Sequence, residues 1–258
     1  MDIFQVDAFN NDFFKGNPAA VIPLEKWISE DLMQAIAEEN NLSETAFFVK
    51  NENSFDLRWF TPTSEIDLCG HATLATAHVI FTELNFNENK IEFNSKSGKL
   101  IVTKNKDWYT LNFPSEEMNE IETPTVLEKA LNTKVIKCYK GKWKLVAELE
   151  NEEIIANLKP NYSLLSELDE NGIIVTSKGN KVDFVSRFFA PKIGINEDPV
   201  TGSAHTLLIP FWSKKLNKTK LSAIQLSKRE GILKCEYLNN RVEMSGQAVT
   251  YLKGKLTL

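Results

Sequence analysis

Two stretches of this chain repeat each other. Arg58-Trp59-Phe60-Thr61-Pro62 returns as Arg187-Phe188-Phe189-Ala190-Pro191, half of the 258-residue chain later. Each stretch runs on through an acidic loop to a glycine, Gly70 or Gly202, that opens a long apolar run. Upstream, the segment from Leu42 to Val49 lines up with the segment from Leu168 to Val175, and a capped helical pattern precedes each, from Ser29 and from Asn151. The order helix, acid, strand, strand, loop, glycine, buried helix therefore occurs twice. Two copies make a duplicated domain rather than a solenoid. The polar segment from Pro114 to Pro124 is the expected boundary. It gives an N-terminal lobe over 1–115, completed by the last strand at about 247–258, and a C-terminal lobe over 116–246.

Within each copy the pattern mixes strands with few helices, an α+β class. Ile3 to Phe9 alternates and turns through Gly16, Asn17 and Pro18 into a second apolar run, a hairpin-like opening. Ser29 caps a helix that ends at Asn40 and Asn41, with Leu32, Ile36 and Ala37 on one face. Strands are expected at 46–49, 55–60, 90–95, 98–104 and 108–113, and again at 172–176 and 183–189. From Ala72 to Leu84 nearly every position is apolar, and a helix apolar all round must be enclosed on every side. With many strands nearby, the expected enclosure is a curved, mostly antiparallel sheet wrapped around one central helix, once per domain. Pro210 inside the second apolar run predicts a short or kinked helix there.

Composition narrows the function. A net charge of −5 with scattered lysines argues against a nucleic-acid partner, which needs a basic face. Three widely spaced cysteines, Cys69, Cys138 and Cys235, fit free thiols in a reducing compartment. The acidic, alternating N-terminus is unlike a secretory signal, and no window is apolar for long enough to span a membrane. These traits predict a cytoplasmic protein with no membrane partner; a homodimer is expected on general grounds. No glycine-rich nucleotide loop occurs, and His71, His78 and His205 lack a metal-ligand spacing, so neither a cofactor nor a metal is expected.

The two glycine-led helices are where chemistry is expected. A helix start presents unpaired N–H groups and about half a unit of positive charge, which suits a carboxylate. In domains related by a pseudo-dyad, two such starts would face a seam and hold a small acid or amino acid. His71, directly after Gly70, would feel a dipole that disfavours its protonated form, leaving an imidazole able to exchange one proton. Asp198, ahead of Gly202, reads equally well as a site acid or a loop cap. Glu44, where a polar loop becomes a strand, reads first as a solvated or capping group. Cys69 has no evident triad partner.

The motifs FQVDAF, GNPAAV, NLSETAFF, RWFTP, CGHAT and DPVTGSAH, in this order, give the chain a resemblance to the phenazine-biosynthesis-like isomerases, relatives of diaminopimelate epimerase and proline racemase. The resemblance covers essentially the whole chain. It implies the two-domain, diaminopimelate epimerase-like fold and a cofactor-independent isomerase acting on a small carboxylic acid. Carried over by motif, Glu44 is the acid–base residue, His71 and Asp198 assist, and Ser43, Gly70, Gly202 and Ser203 bind substrate. Racemase relatives use a cysteine at each helix start; here Cys69 fills the first place and Val200 the second, so a two-thiol reaction is not expected. An amino-acid epimerase or racemase, and a non-catalytic small-ligand-binding protein of the same fold, are the alternatives.

Overall fold

The computed structural model describes residues 1–258. The chain divides into two compact units, Met1–Asn112 with Met244–Leu258, and Phe113–Glu243.

In the first unit β1 (Asp2–Ala8) and β2 (Asn17–Leu24) form the opening antiparallel pair. Helix α1 (Glu30–Asn40) carries the chain across to β3 (Glu44–Lys50), which runs parallel to β2. Ser29 Oγ accepts from the Leu32 amide at 3.3 Å and starts α1; Asn41, in the left-handed region, stops it. The buried face of α1 is Met33, Ile36 and Ala37, packed with Ile22, Phe47 and Phe60. The expected Leu32 lies at its margin, only partly buried.

Strand β4 (Phe55–Phe60) pairs antiparallel with β3 and with the short β5 (Glu65–Ile66). Helix α2 (Gly70–Thr82) then crosses over to β6 (Lys90–Ser95), parallel to β4, and β7 (Gly98–Asn105) and β8 (Trp108–Pro114) follow as a meander. Every residue of α2 from His71 to Phe81 is buried. The helix packs on β1, β2 and β3, which fulfils the expectation drawn from its apolar circumference.

The second unit repeats the plan. After β9 (Asn119–Ile121) and α3 (Thr125–Leu131) come the antiparallel pair β10 (Lys137–Lys140) and β11 (Lys144–Glu148). Helices α4 (Glu152–Asn157) and α5 (Tyr162–Ser166) lead to β12 (Gly172–Lys178), parallel to β11. Then β13 (Phe184–Ala190) and β14 (Ile195–Asp198) precede α6 (Gly202–Leu216). β15 (Lys220–Gln225) runs parallel to β13, and β16 (Gly231–Tyr237) is antiparallel to β15. The sequence of antiparallel and parallel pairings from β10 to β16 matches that from β1 to β7. Through β17 (Arg241–Gly246) the chain returns to the first unit, where β18 (Ala248–Lys255) pairs antiparallel with β1.

Pro210 corrects one expectation. It does not shorten its helix: α6 continues past it, over 15 residues. A proline removes the amide that would bond the carbonyl four residues back, here that of Thr206. The Glu116 amide takes that carbonyl instead, at 3.1 Å.

The repeated arginines are built alike. Arg58 Nε and Nη2 donate to the two carboxylate oxygens of Glu65 in β5, at 2.7 and 2.8 Å. Arg187 Nε and Nη2 donate to Glu197 in β14, at 2.7 and 2.9 Å. Each arginine clamps the loop that delivers a glycine-led helix to its strand. Such two-point contacts fix direction as well as distance.

Candidate functional site

Helices α1, α4 and α5 each start with a side chain bonded to a backbone amide, from Ser29, Asn151 and Asn161. The two central helices differ: Cys69 precedes Gly70, Thr201 precedes Gly202, and neither side chain caps its helix. Uncapped helix starts are where an anion can take over the capping role.

At the start of α2 the structure assembles residues from three places in the sequence. Glu44, the first residue of β3, sits beside Ala19 of β2 in the parallel register. Its residue exposure is 9% and that of His71 is 5%. Glu44 Oε2 lies 2.9 Å from His71 Nε2, an ion-pair distance, and neither buried atom has a hydrogen-bond partner. Buried polar atoms are rarely left so in a purely structural setting. The solvated reading of Glu44 therefore gives way to a buried carboxylate at the imidazole edge.

The other edge of the ring is occupied too. Asn17 Nδ2 is 3.2 Å and Cys69 Sγ 3.5 Å from His71 Nδ1, and Ser43 Oγ donates to Asn17 Oδ1 at 3.4 Å. Asn17 was read only as part of a turn. Gly16 delivers it: φ is +66°, and a Cβ there would sit 2.1 Å from the Ala8 carbonyl oxygen, so only glycine fits.

Burial pushes the His71 imidazolium down, and the ring rises well above the ordinary 6.5 only through the joint pull of an ionised Cys69 and of Glu44. Cys69 is itself pushed up to about 11, by burial and then by the charge of Glu44. It is thus a thiol at neutral pH, and the standing pull on His71 is the carboxylate's. This opposes the helix dipole that was expected to keep the ring neutral.

Donor atoms of Glu44, Cys69 and His71 lie within 4.8 Å of one another, a grouping no sequence spacing reveals. Cys69 addresses Nδ1 and Glu44 addresses Nε2. One ion uses one ring nitrogen, whereas here each ring nitrogen faces a different partner. A hydrogen-bonding array describes them better.

In the second unit, Asp198 closes β14 and accepts a hydrogen bond from the Thr201 hydroxyl on Oδ2, at 2.5 Å. Gly202 and Ser203 are the first two residues of α6, and Ser203 is exposed. Gln225 holds this loop: its Oε1 accepts from the Thr201 amide at 2.8 Å, and its Nε2 donates to the Asp198 carbonyl at 2.8 Å and the Thr201 hydroxyl at 3.1 Å. His205 Nδ1 reaches the Thr201 carbonyl at 2.8 Å. The sequence reading passed over Gln225, although it left a sign. Leu221, Ala223 and Gln225 are the inward residues of β15, and a polar side chain at an inward position needs partners.

Residues 6–254 match the family described as phenazine biosynthesis-like protein. The chain belongs to this family. An uncharacterized isomerase of Pseudomonas aeruginosa is 46% identical over 100% of this chain and 99% of its own. The crystal structure of a PhzF-family phenazine biosynthesis protein from Enterococcus faecalis is 52% identical, covers 100% of this chain and 99% of that one, and superposes with a TM-score of 0.98. The family resemblance and the α+β class are both borne out. A probable proline racemase from Agrobacterium radiobacter shares the fold alone, at 9% identity and a TM-score of 0.64, over 100% of this chain and 93% of its own. In this member of the phenazine biosynthesis-like family, the residue that precedes Gly202 as Cys69 precedes Gly70 is Thr201 rather than the expected Val200, which is fully buried against Gly231.

Proposed function

We propose that the chain is an isomerase that moves a proton within a small carboxylic acid, with Glu44 as the group that removes and returns it. The observation that carries this reading is the buried Glu44 carboxylate, close to His71 Nε2 without a hydrogen bond between them. Family membership and the isomerase relatives support it. Glu44 takes a proton from a carbon made acidic by an adjacent unsaturated or carboxyl group. The electron pair left behind spreads into that group. Glu44, now protonated, returns the proton at a different carbon, so no atom is gained or lost and no cofactor enters the step. The amides at the start of α2 hold the substrate carboxylate, with Gly70 allowing close approach and Ser43 lining the site. Asp198, Gly202 and Ser203 are assigned to the same reaction, the first in proton handling and the others in substrate binding.

The test is deuterium incorporation. Small unsaturated, cyclic and amino acids incubated with the protein in deuterated water should show exchange at two carbons of one acid. Glu44→Gln should lower that rate by about 10²–10⁴-fold, the usual worth of a positioned acid–base group. Full turnover in Glu44→Gln refutes the assignment. Exchange confined to the α-carbon of an amino acid would instead establish epimerisation, and ligand binding without exchange in any acid a binding protein.

A further inference from the structure

We infer that Asn17 and Cys69 are positioning residues that keep His71 Nδ1 a lone-pair acceptor, so that the ring carries its only proton on Nε2, on the side of Glu44. Three observations lead there. The amide nitrogen of Asn17 can only donate, and it lies 3.2 Å from Nδ1 while its oxygen accepts from Ser43. The Cys69 sulfur is 3.5 Å from the same nitrogen and carries its proton at neutral pH. Two donors meeting at Nδ1 leave no room for a third proton there. On the opposite edge, Nε2 is buried, lies 2.9 Å from the Glu44 carboxylate and has no hydrogen-bond partner.

The consequence rests on the proposed isomerisation. A proton on Nε2 that is not committed to Glu44 is available to a substrate oxygen. When Glu44 removes a proton from carbon, charge builds on that oxygen, and a neutral N–H stabilises it there. His71 then acts as a fixed hydrogen-bond donor, and Glu44 alone exchanges the proton with carbon. Asn17 and Cys69 touch no reacting atom; they set which ring nitrogen faces the chemistry. Fixing a tautomer through the far nitrogen is a known device at imidazole sites.

The test needs no substrate. The chain has three histidines, so nitrogen-15 spectra of the imidazoles resolve into three rings. His205 is an internal contrast, since its Nδ1 faces the Thr201 carbonyl and must be the protonated nitrogen. At neutral pH, His71 should show protonated Nε2 and bare Nδ1, the opposite of His205. Asn17→Asp, which sets a carboxylate on Nδ1, should bring a proton to that nitrogen. Cys69→Ser, which keeps a donor, should preserve the parent pattern, and Cys69→Ala combined with Asn17→Ala should give a mixture of tautomers. A parent His71 protonated on Nδ1, or on both nitrogens, overturns the inference. If the variants do not fold, the parent spectrum still decides. The same spectrum leaves the isomerase reading untouched, because that reading stands or falls on deuterium exchange.

Discussion

Burial holds His78 and His205 neutral, and this gives the protein a predictable response to acid. Burial pushes both His78 and His205 down to about 4 from the ordinary 6.5. His78 is bound through Nδ1 to the Tyr109 hydroxyl at 3.0 Å and through Nε2 to the Thr250 hydroxyl at 2.9 Å. An unfolded chain takes up a proton at each imidazole once pH falls through 6.5, while the folded chain resists until about 4. Their contribution is therefore complete above 6.5 and is lost as pH falls through that window, by about 3 kcal/mol per histidine once pH is below 4. Urea midpoints between neutral pH and 4 should fall, and His78→Gln should fall less steeply. An unchanged slope in that variant would show that His78 is not one of the groups responsible. The absolute stability of the variant, altered by repacking, does not enter the comparison.

At the scale of elements, the repeated arginine clamps are alike in form and unequal in depth. Beyond Glu197, Arg187 donates through Nη1 to the carbonyls of Ile155 and Leu158 at 3.0 and 2.9 Å, completing the end of α4. Its side chain is only 9% exposed, against 18% for Arg58, whose third partner Glu30 is 72% exposed. Arg187→Met would strand a partly buried carboxylate and two carbonyls together, a loss of about 3–5 kcal/mol on the scale of broken buried pairs. Arg58→Met should cost clearly less, because water reaches its partners. Thermal melts of the two variants check the ranking, and equal losses would mean that depth is not what separates the clamps. The same comparison shows what a sequence can disclose. The arginine repeat and the apolar circumference of α2 are local, so they could be read directly. The tolerance of α6 for Pro210 depends on the Glu116 amide, far away in the chain, and no local pattern announces it. Helices α3 and α5 are too short for an apolar period to stand out. Of the site, Glu44 and His71 were legible through motifs, whereas Asn17 and Gln225 act through partners that only folding brings near.

For the whole molecule, the decisive fact is that the first unit is closed by the last strand. Residues Asp2 to Ala8 of β1 pair with Ala248 to Lys255 of β18, and the Met1 amino group and Leu256 carbonyl extend the ladder at 3.1 Å. Thr250 of β18 also bonds His78 in the middle of α2. The final strand was expected to complete the N-terminal lobe, but which strand it would pair with is not written in its own residues. Pairing at such separation carries a loop-closure cost met late in folding. The first unit can therefore finish only when the C-terminus is available, whereas the second unit, Phe113–Glu243, is continuous in sequence. Removing residues 248–258 should leave β1 an edge with no partner on one side and uncover one end of the His78 network. Hydrogen exchange on the truncated chain should show lost protection in β1 and α2 and retained protection in β11, β12 and β13. Supplying the missing strand as a peptide should restore protection to β1 and α2. Uniform loss across both units would mean that the second depends on the first to fold, and unchanged protection in β1 would mean that β18 only covers a unit already complete.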